Sequence, residues 1–344
     1  MLFVKYIPMQ YYDAILIQIA SEDGSKHNII VDGGNIKQCK YCYTDRIKEI
    51  LAKIFGRGES IDLWVVTHID DDHIGGLYHF INDKDFFKTY CGRLKEVWMN
   101  YGGKGDYEAQ RTETIGYHGG KELRGLLKEN HVCVKQGLLA EYTATFSDAK
   151  ITVVAPSEST MKRYIEWWNN KEFKDVAQTA DGLIKGGEWD YDKKFKDFNL
   201  AQYEEDNEVK NNSSIVFVLS YHGSNLLFSA DSCSSILSNG LKNAKMLKDG
   251  KFKFDLMHIP HHGSSRNSSF AFLKDLICPQ YVITGNGANR YHLPDKETIA
   301  RLIAANPMGC ELHFTQMNSK LKKIFAGDDC GNLKIVDEAN FIFE

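Results

Sequence analysis

Proline is scarce in this chain, 6 of 344 residues, and glycine stops at 28, which excludes a collagen-like or low-complexity polymer. No window approaches the roughly 18 apolar residues of a membrane-spanning helix. The opening MLFVKYIPMQYYDAILIQIA is broken by Lys5, Pro8 and Asp13, so it lacks the apolar run of a signal peptide. These absences predict a cytoplasmic protein with no membrane partner. A basic excess is missing too, since 42 Lys and Arg against 46 Asp and Glu leave a net charge of −4 with histidine neutral. Any nucleic-acid contact would have to use a local patch. The 8 cysteines are scattered along the chain, which excludes the framework of a small disulfide-stapled domain. Cys39 and Cys42 form a lone CxxC. A four-cysteine zinc knuckle needs a second such pair, so these two are read as ordinary reduced thiols.

What remains is the composition of a packed globular protein, 43% hydrophobic and 26% charged. The length exceeds a typical domain of ~100–200 residues, so it fits one large α/β domain or two modest ones. Residues 14–19 and 29–31 alternate like two strands and flank a polar turn, and the second ends at Asp32-Gly33-Gly34. Residues 44–56 read as a helix with a Thr-Asp cap, Ile47, Ile50, Leu51 and Ile54 on one face, and Gly56 as its stop. Leu63-Trp64-Val65-Val66-Thr67 is a short apolar run suited to a buried strand, and it enters the polar loop His68 to His73. Short strands are expected at 95–101 and 132–136 around a helix at 120–129. The stretch 160–210 has little clean period and reads as an insertion. A second hairpin, 215–220 and 226–231, again ends on an aspartate, Asp231. Helices at 233–247, 268–276 and 295–305 then separate strands at 254–259 and 280–284. Hairpins in both halves, with helices between the later strands, predict an α/β (α+β) fold of two stacked sheets covered by helices.

The strongest local signal is Thr67-His68-Ile69-Asp70-Asp71-Asp72-His73-Ile74-Gly75-Gly76. Four metal-capable side chains, at 68, 70, 72 and 73, follow directly on a strand, where loops hold functional groups on a rigid scaffold. In an extended loop 68, 70 and 72 converge from one side while 73 points elsewhere, a spacing that suits two neighbouring cations. An EF-hand loop counted from Asp70 fails at its twelfth position, where Ile81 replaces the bidentate glutamate. Asp32, Asp231, His261, His262 and His292 also lie at or just past strand ends. Singly each has a plain explanation: a turn residue for Asp32, a helix cap for Asp231, an exposed loop residue for His292. Their recurrence at one kind of position is what those explanations miss.

THIDDDHIGG resembles the HxHxDH signature of the metallo-β-lactamase superfamily, with Asp70 in place of the second histidine. DAILI at 13–17, IIVDGG at 29–34, Asn211-Asn212-Ser213-Ser214, SAD at 229–231, PHHGSS at 260–265 and NRYHLP at 289–294 make the chain similar to the metallo-hydrolase domain of ComEC-type competence proteins. The segment TQMN…GNLKIV resembles that family's final hairpin. The resemblance, which runs from about residue 10 to 300, implies a four-layer αββα sandwich and a dinuclear metal site at one edge. The chain is expected to be one domain over 1–344, and the insertion at about 160–210 is not part of the family pattern. It places His68 and Asp70 on one ion, Asp72 and His73 on the other, Asp231 between them and His262 on the second. It also places His261, His292, Asn212 and Ser264 around the substrate, with Asp72 among the catalytic residues. No histidine matches the usual third histidine of the first site, and Asn212 occupies that neighbourhood. Tyr12 stands where a glycine normally precedes Asp13.

An aspartate in place of an imidazole makes the site harder, so Mn²⁺ competes with Zn²⁺ as the pair of divalent ions. The implied reaction is attack by a bridging hydroxide, formed from water whose pKa falls from about 15.7 toward ~7, on a phosphodiester. His261 or His292 would protonate the leaving oxygen. A nuclease or phosphodiesterase leads. A hydrolase of a small ester, of phosphocholine type or a cyclic-nucleotide diester, and a catalytically silent binding scaffold are the alternatives. For nucleic acid the candidate basic tracks are Lys242, Lys245, Lys248, Lys251 and Lys253, or Lys320, Lys322 and Lys323, against solvated helix faces as the plain reading. The insertion's Trp167, Trp168, Phe173, Trp189, Tyr191 and Phe195 could stack bases, although packing against the body is simpler.

Overall fold

Strand signals of two kinds, alternating and continuously apolar, sort into two large sheets. The computed structural model describes residues 1–9, 12–21, 24–37, 43–102, 117–173, 190–287 and 291–344. Cys39, Cys42, Trp189, the side chain of Phe173 and the Asn289-Arg290 pair lie outside the described residues. One sheet has seven strands in the order Asn340–Phe343, Leu2–Tyr6, Ala14–Ala20, Lys26–Asp32, Leu63–Val66, Val97–Met99, Val134–Lys135. Its first four strands are antiparallel and the rest parallel. The other has eight, in the order Leu333–Val336, Cys310–Phe314, Gln280–Ile283, Leu256–His258, Ser224–Phe228, Val216–Tyr221, Ala149–Ala155, Thr143–Phe146. Here the first five are parallel and the last three extend the sheet antiparallel.

The strand period of two divides the apolar residues between layers. In Leu63–Val66, Leu63 and Val65 join the core between the sheets, while Trp64 and Val66 face the helices outside. The inter-sheet core also takes Ile17 and Trp98 from one sheet and Phe217, Leu226 and Val282 from the other. Outside the first sheet, Leu51, Leu77, Phe80 and Leu123 come from helices Lys48–Gly56, Asp71–Asn82 and Tyr117–Glu129. Outside the second, Leu237, Phe272, Ile299 and Ile324 do the same. The result is the helix–sheet–sheet–helix layering that the hairpins and intervening helices predict. Among the described residues, no helix is long and apolar enough to cross a membrane.

The structure differs from the sequence expectations in several places. Residues 44–56 open as a π-helical turn, Tyr43–Ile47, and the α-helix starts at Lys48 without a side-chain cap. The stretch read as lacking period begins with the helix Glu158–Phe173. Its buried Met161, Tyr164 and Trp168 are flanked by partly buried Trp167 and exposed Ile165, which blurs the stripe. Tyr191 and Phe195 are likewise buried, in the second outer core, so these aromatics pack against the body. The terminal segment is no hairpin: Leu333–Val336 runs parallel to Cys310–Phe314, and helix Ser319–Phe325 makes the crossover that parallel pairing demands.

Candidate metal centre

The parallel strands of both sheets end at a common edge, and the loops leaving those ends carry the candidate side chains. Asp32 ends Lys26–Asp32, His68 follows Leu63–Val66, Asp231 follows Ser224–Phe228, and His261 and His262 follow Leu256–His258. The polar run after Thr67 is only partly a loop. The helix Asp71–Asn82 starts within it, so Asp72 and His73 sit in its first turn, where acidic groups complement the helix dipole. Asp70 holds the N-cap position yet makes no capping hydrogen bond. Its carboxylate instead lies 2.7 Å from the Nζ of Lys210.

Three overlapping groups of ligand-type atoms share His73, two at the front and a third, Asp13, Asp32 and His73, behind it. His68, His73 and Asp231 bring one atom each within 4.8 Å of one another, and so do Asp72, His73 and His262. Asp231 Oδ2 lies 3.7 Å from His68 Nε2, 3.5 Å from His73 Nε2 and 3.6 Å from His261 Nε2. Asp72 is 3.4 Å from His262 Nε2 through Oδ2 and 3.9 Å from His73 Nε2 through Oδ1. Asp70 Oδ2 faces His68 Nε2 at 4.0 Å. His68, His73, Asp231 and His262 are all buried.

Beneath this front lies a layer that orients the rings. Asp32 Oδ2 contacts His73 Nδ1 at 2.8 Å, while Asp32 accepts hydrogen bonds from the amide and hydroxyl of Thr67. His262 Nδ1 lies 3.0 Å from Thr284 Oγ1 and 3.3 Å from Asp13 Oδ1, and Asp13 Oδ2 is 3.6 Å from His258 Nε2. His261 Nδ1 is 3.0 Å from Asn267 Oδ1 and 3.5 Å from Asp206 Oδ2. With their inner nitrogens engaged, the rings present Nε2 to the front.

Electrostatics matches the geometry. Burial works against the His73 imidazolium, but Asp231 and Asp32 outweigh it and hold its pKa well above the ordinary range. Burial, reinforced by His73, lowers that of His68. Burial would raise Asp231, yet His261 and His73 hold it well below the carboxylate range. His261 is likewise pushed up to about 9, with Asp231 and Asp206 prevailing over burial. Lys210, which burial alone would lower, is pushed up to about 12 by Asp70.

His68 Nε2, His73 Nε2 and Asp231 Oδ1 are buried without a hydrogen-bond partner. Each such atom costs ~1–3 kcal/mol unless something satisfies it, and two imidazole nitrogens and a carboxylate oxygen are the donor set of a divalent cation. The residues therefore fit a metal. Backbone strain gathers at the same edge: Asp32, Ala230, His261, His262 and His292 all have φ between 45° and 61°. For non-glycine residues such conformations cost ~1–3 kcal/mol each and persist where the surroundings demand them.

Of the remaining sequence candidates, Asn212 is buried, with Nδ2 donating to the carbonyl of Asp206 at 3.0 Å. Ser264 Oγ accepts from the Arg266 amide at 3.3 Å. His292 sits in a loop held by Tyr191, whose hydroxyl donates to the carbonyls of His292 and Pro294, each at 3.0 Å. Asp231 is not a helix cap, because Cys233 holds that position for Ser234–Asn243. Asp206, Lys210, His258 and Asn267 have no sequence signal of their own, and Asp13 was visible only within DAILI. Asp13 precedes a strand whose antiparallel partner ends on Asp32, with Ala14 opposite Asp32, so both aspartates reach one edge.

Comparison with known proteins gives a match over part of the chain. Residues 13–159 match the model of the Metallo-beta-lactamase superfamily. No curated protein matches the chain significantly. Among solved structures, the chain is similar to the metallo-beta-lactamase fold protein YhfI from Bacillus subtilis, with TM-score 0.42 and 10% identity over 99% of this chain and 98% of that one. It is also similar to a diphosphatase from the PhnP family, with TM-score 0.40 and 10% identity over 97% of this chain and 85% of that one. A long form RNase Z from yeast aligns with TM-score 0.35 and 11% identity over 92% of this chain and 36% of that one.

Proposed function

We propose that the chain is a metal-dependent hydrolase of phosphodiesters, acting on nucleic acid or on a small phosphodiester. The observation that carries this reading is that His68, His73 and Asp231 bring one ligand-type atom each within 4.8 Å of one another, while His68 Nε2, His73 Nε2 and Asp231 Oδ1 are buried without a hydrogen-bond partner. The superfamily match over residues 13–159 and the motifs resembling the ComEC-type hydrolase domain support it. We assign His68 and Asp70 to one divalent ion and Asp72, His73 and His262 to a second, with Asp231 reaching both; Mn²⁺ and Zn²⁺ are the candidates. When bound, such ions supply an acidified water and stabilise charge on the reacting phosphoryl oxygens.

The chain's own residues do the rest. Asp32, Asp13 and Thr284 fix the imidazole orientations from behind. His261, a quarter exposed and held by Asn267 and Asp206, donates a proton from Nε2 to the leaving oxygen, with His292 as the second candidate for that role. Asn212 and Ser264 line the approach. The cluster at Lys320, Lys322 and Lys323 borders this side: Asn318, which caps their helix, donates to the carbonyl of Asn286 in the segment leading to His292. The other basic track starts about 12 Å along the helix that follows Asp231, and Lys251 and Lys253 are engaged by the carbonyl of Lys274 and by Asp249.

The test is hydrolysis of single- and double-stranded DNA, RNA and bis-p-nitrophenyl phosphate with Mn²⁺ or Zn²⁺, using Asp72→Ala and chelator-treated protein as controls. Cleavage that disappears in both controls is expected. Activity that survives chelation would sink the metal reading, and cleavage of the small ester alone would remove nucleic acid as substrate.

Tyr191 gives a subtler prediction. Tyr191→Phe removes the hydroxyl that holds the His292 loop, and unsatisfied buried carbonyls cost about 1–3 kcal/mol. Turnover is expected to fall several-fold, with metal content unchanged. Lower thermal stability at unaltered turnover would leave Tyr191 with a structural role only.

A further inference from the structure

Asp70 stands where the superfamily signature has an imidazole, so the first metal position carries a carboxylate in place of a neutral ring. Lys210 Nζ lies 2.7 Å from its Oδ1, while its Oδ2 faces His68. Among the described residues this is the one lysine or arginine ion pair made by any carboxylate of the centre. The ammonium is held in place by its backbone. Lys210 belongs to the short helix Val209–Asn212, which Asp206 anchors by accepting from Glu208 N at 3.0 Å and from Asn211 Nδ2 at 2.8 Å, with its carbonyl accepting from Asn212 Nδ2 at 3.0 Å. The Lys210 side chain is only 19% exposed. A divalent ion recruiting Asp70 beside His68 would have to share that carboxylate with a fixed positive charge. Among the described residues, no lysine or arginine makes an ion pair with the carboxylate of the group Asp72, His73 and His262.

We propose that Lys210 is a built-in counter-cation that makes the two metal positions unequal: the Asp72 and His262 side fills first and tightly, and the His68 and Asp70 side only weakly. The inference rests on the metal-hydrolase reading and adds to it the order of loading. It also leaves an ammonium at the weakly loaded side, suited by charge to a phosphoryl oxygen of the substrate.

Titration of the whole protein with Mn²⁺ by isothermal calorimetry, with native mass spectrometry to count ions, tests it. Two binding events are expected, separated by roughly tenfold to a hundredfold, the range that one charge-assisted contact supports. In Lys210→Met the weaker event should tighten by about that factor while the tighter one stays put, and Lys210→Arg should restore the gap. Lys210→Gln serves as the second neutral variant should the methionine protein fail to fold. Two ions of equal affinity in wild type, or an unchanged gap in the neutral variants, overturns the role of Lys210 while leaving the hydrolase reading intact. Absence of any bound ion overturns both.

Discussion

Asp231→Ala is expected to lower hydrolysis roughly 10³-fold or more and to strip the protein of bound metal, because that carboxylate is the common neighbour of the whole front. Its Oδ2 lies within 3.7 Å of His68, His73 and His261, and its Oδ1 is buried without a partner. Among the described residues, no other carboxylate lies within 4.0 Å of these three imidazoles. Removal also takes one of two carboxylate neighbours from His261 and leaves His73 with Asp32 and Asp72, and breaking a buried ion pair costs about 3–5 kcal/mol. A fall in thermal stability is therefore part of the expectation and has to be separated from the chemistry. Asp231→Asn does this: it keeps the shape, and it should retain the fold while still losing metal. The readouts are metal content by elemental analysis, the unfolding midpoint and the rate on a small phosphodiester. Retention of both metal and rate within tenfold in Asp231→Asn would remove Asp231 from the centre.

The second large effect comes from a glycine that carries no ligand of its own but packs the helix holding two of them. Gly75 lies in the helix that carries Asp72 and His73, and its amide donates to the Gly34 carbonyl at 2.7 Å. A Cβ there would sit 2.5 Å from the Gly34 carbonyl oxygen and 2.5 Å from the Asn35 carbonyl carbon, both backbone atoms unable to turn aside. At the same contact a Cβ on Gly33 would meet the Gly76 backbone at 2.6 Å. Helix propensity alone makes Gly→Ala favourable by about 1 kcal/mol, whereas overpacking against backbone costs ~1–3 kcal/mol or more, so the two effects predict opposite signs. Gly75→Ala should destabilise by a few kcal/mol and, by pushing the helix off its loop, weaken metal binding as well. Gly125→Ala, in the helix Tyr117–Glu129 with nothing within 4 Å of its Cβ, should do the reverse and slightly stabilise. Denaturant unfolding of the two variants decides the matter, and a Gly75→Ala protein as stable as wild type would refute the close approach.

Much of the fold was legible because local patterns and tertiary roles agree. Both hairpins, the buried strand Leu63–Val66 and most helices carry a period of two or 3.6 with matching turn residues. The failures are places where local pattern and environment part. Leu2–Tyr6 alternates buried and half-buried residues, but five residues at a chain end say little until Asn340–Phe343 pairs with them. In Glu158–Phe173, Trp167 and Ile165 lie at the margins of the apolar stripe and mask its spacing. The parallel pairing of Leu333–Val336 depends on a partner more than 20 residues away.

For the candidate centre the division is sharper. From residue order alone came the density of histidine and aspartate after Thr67, the aspartates and histidines at later strand ends, and the expectation of a layered α/β fold, because each is a property of neighbours along the chain. The chain order could not say that Asp13, Asp206 and His258 stand behind the front, or that Lys210 meets Asp70. Asp70 and Lys210 are 140 residues apart, Asp13 and His258 are 245 apart, and Asp206 meets His261 across 55, contacts that owe their existence to the two sheets sharing one edge. Nor could it separate a turn aspartate from a buried ion partner at Asp32. That difference is set by solvent exclusion, which only the stacking of the sheets and the covering helices creates.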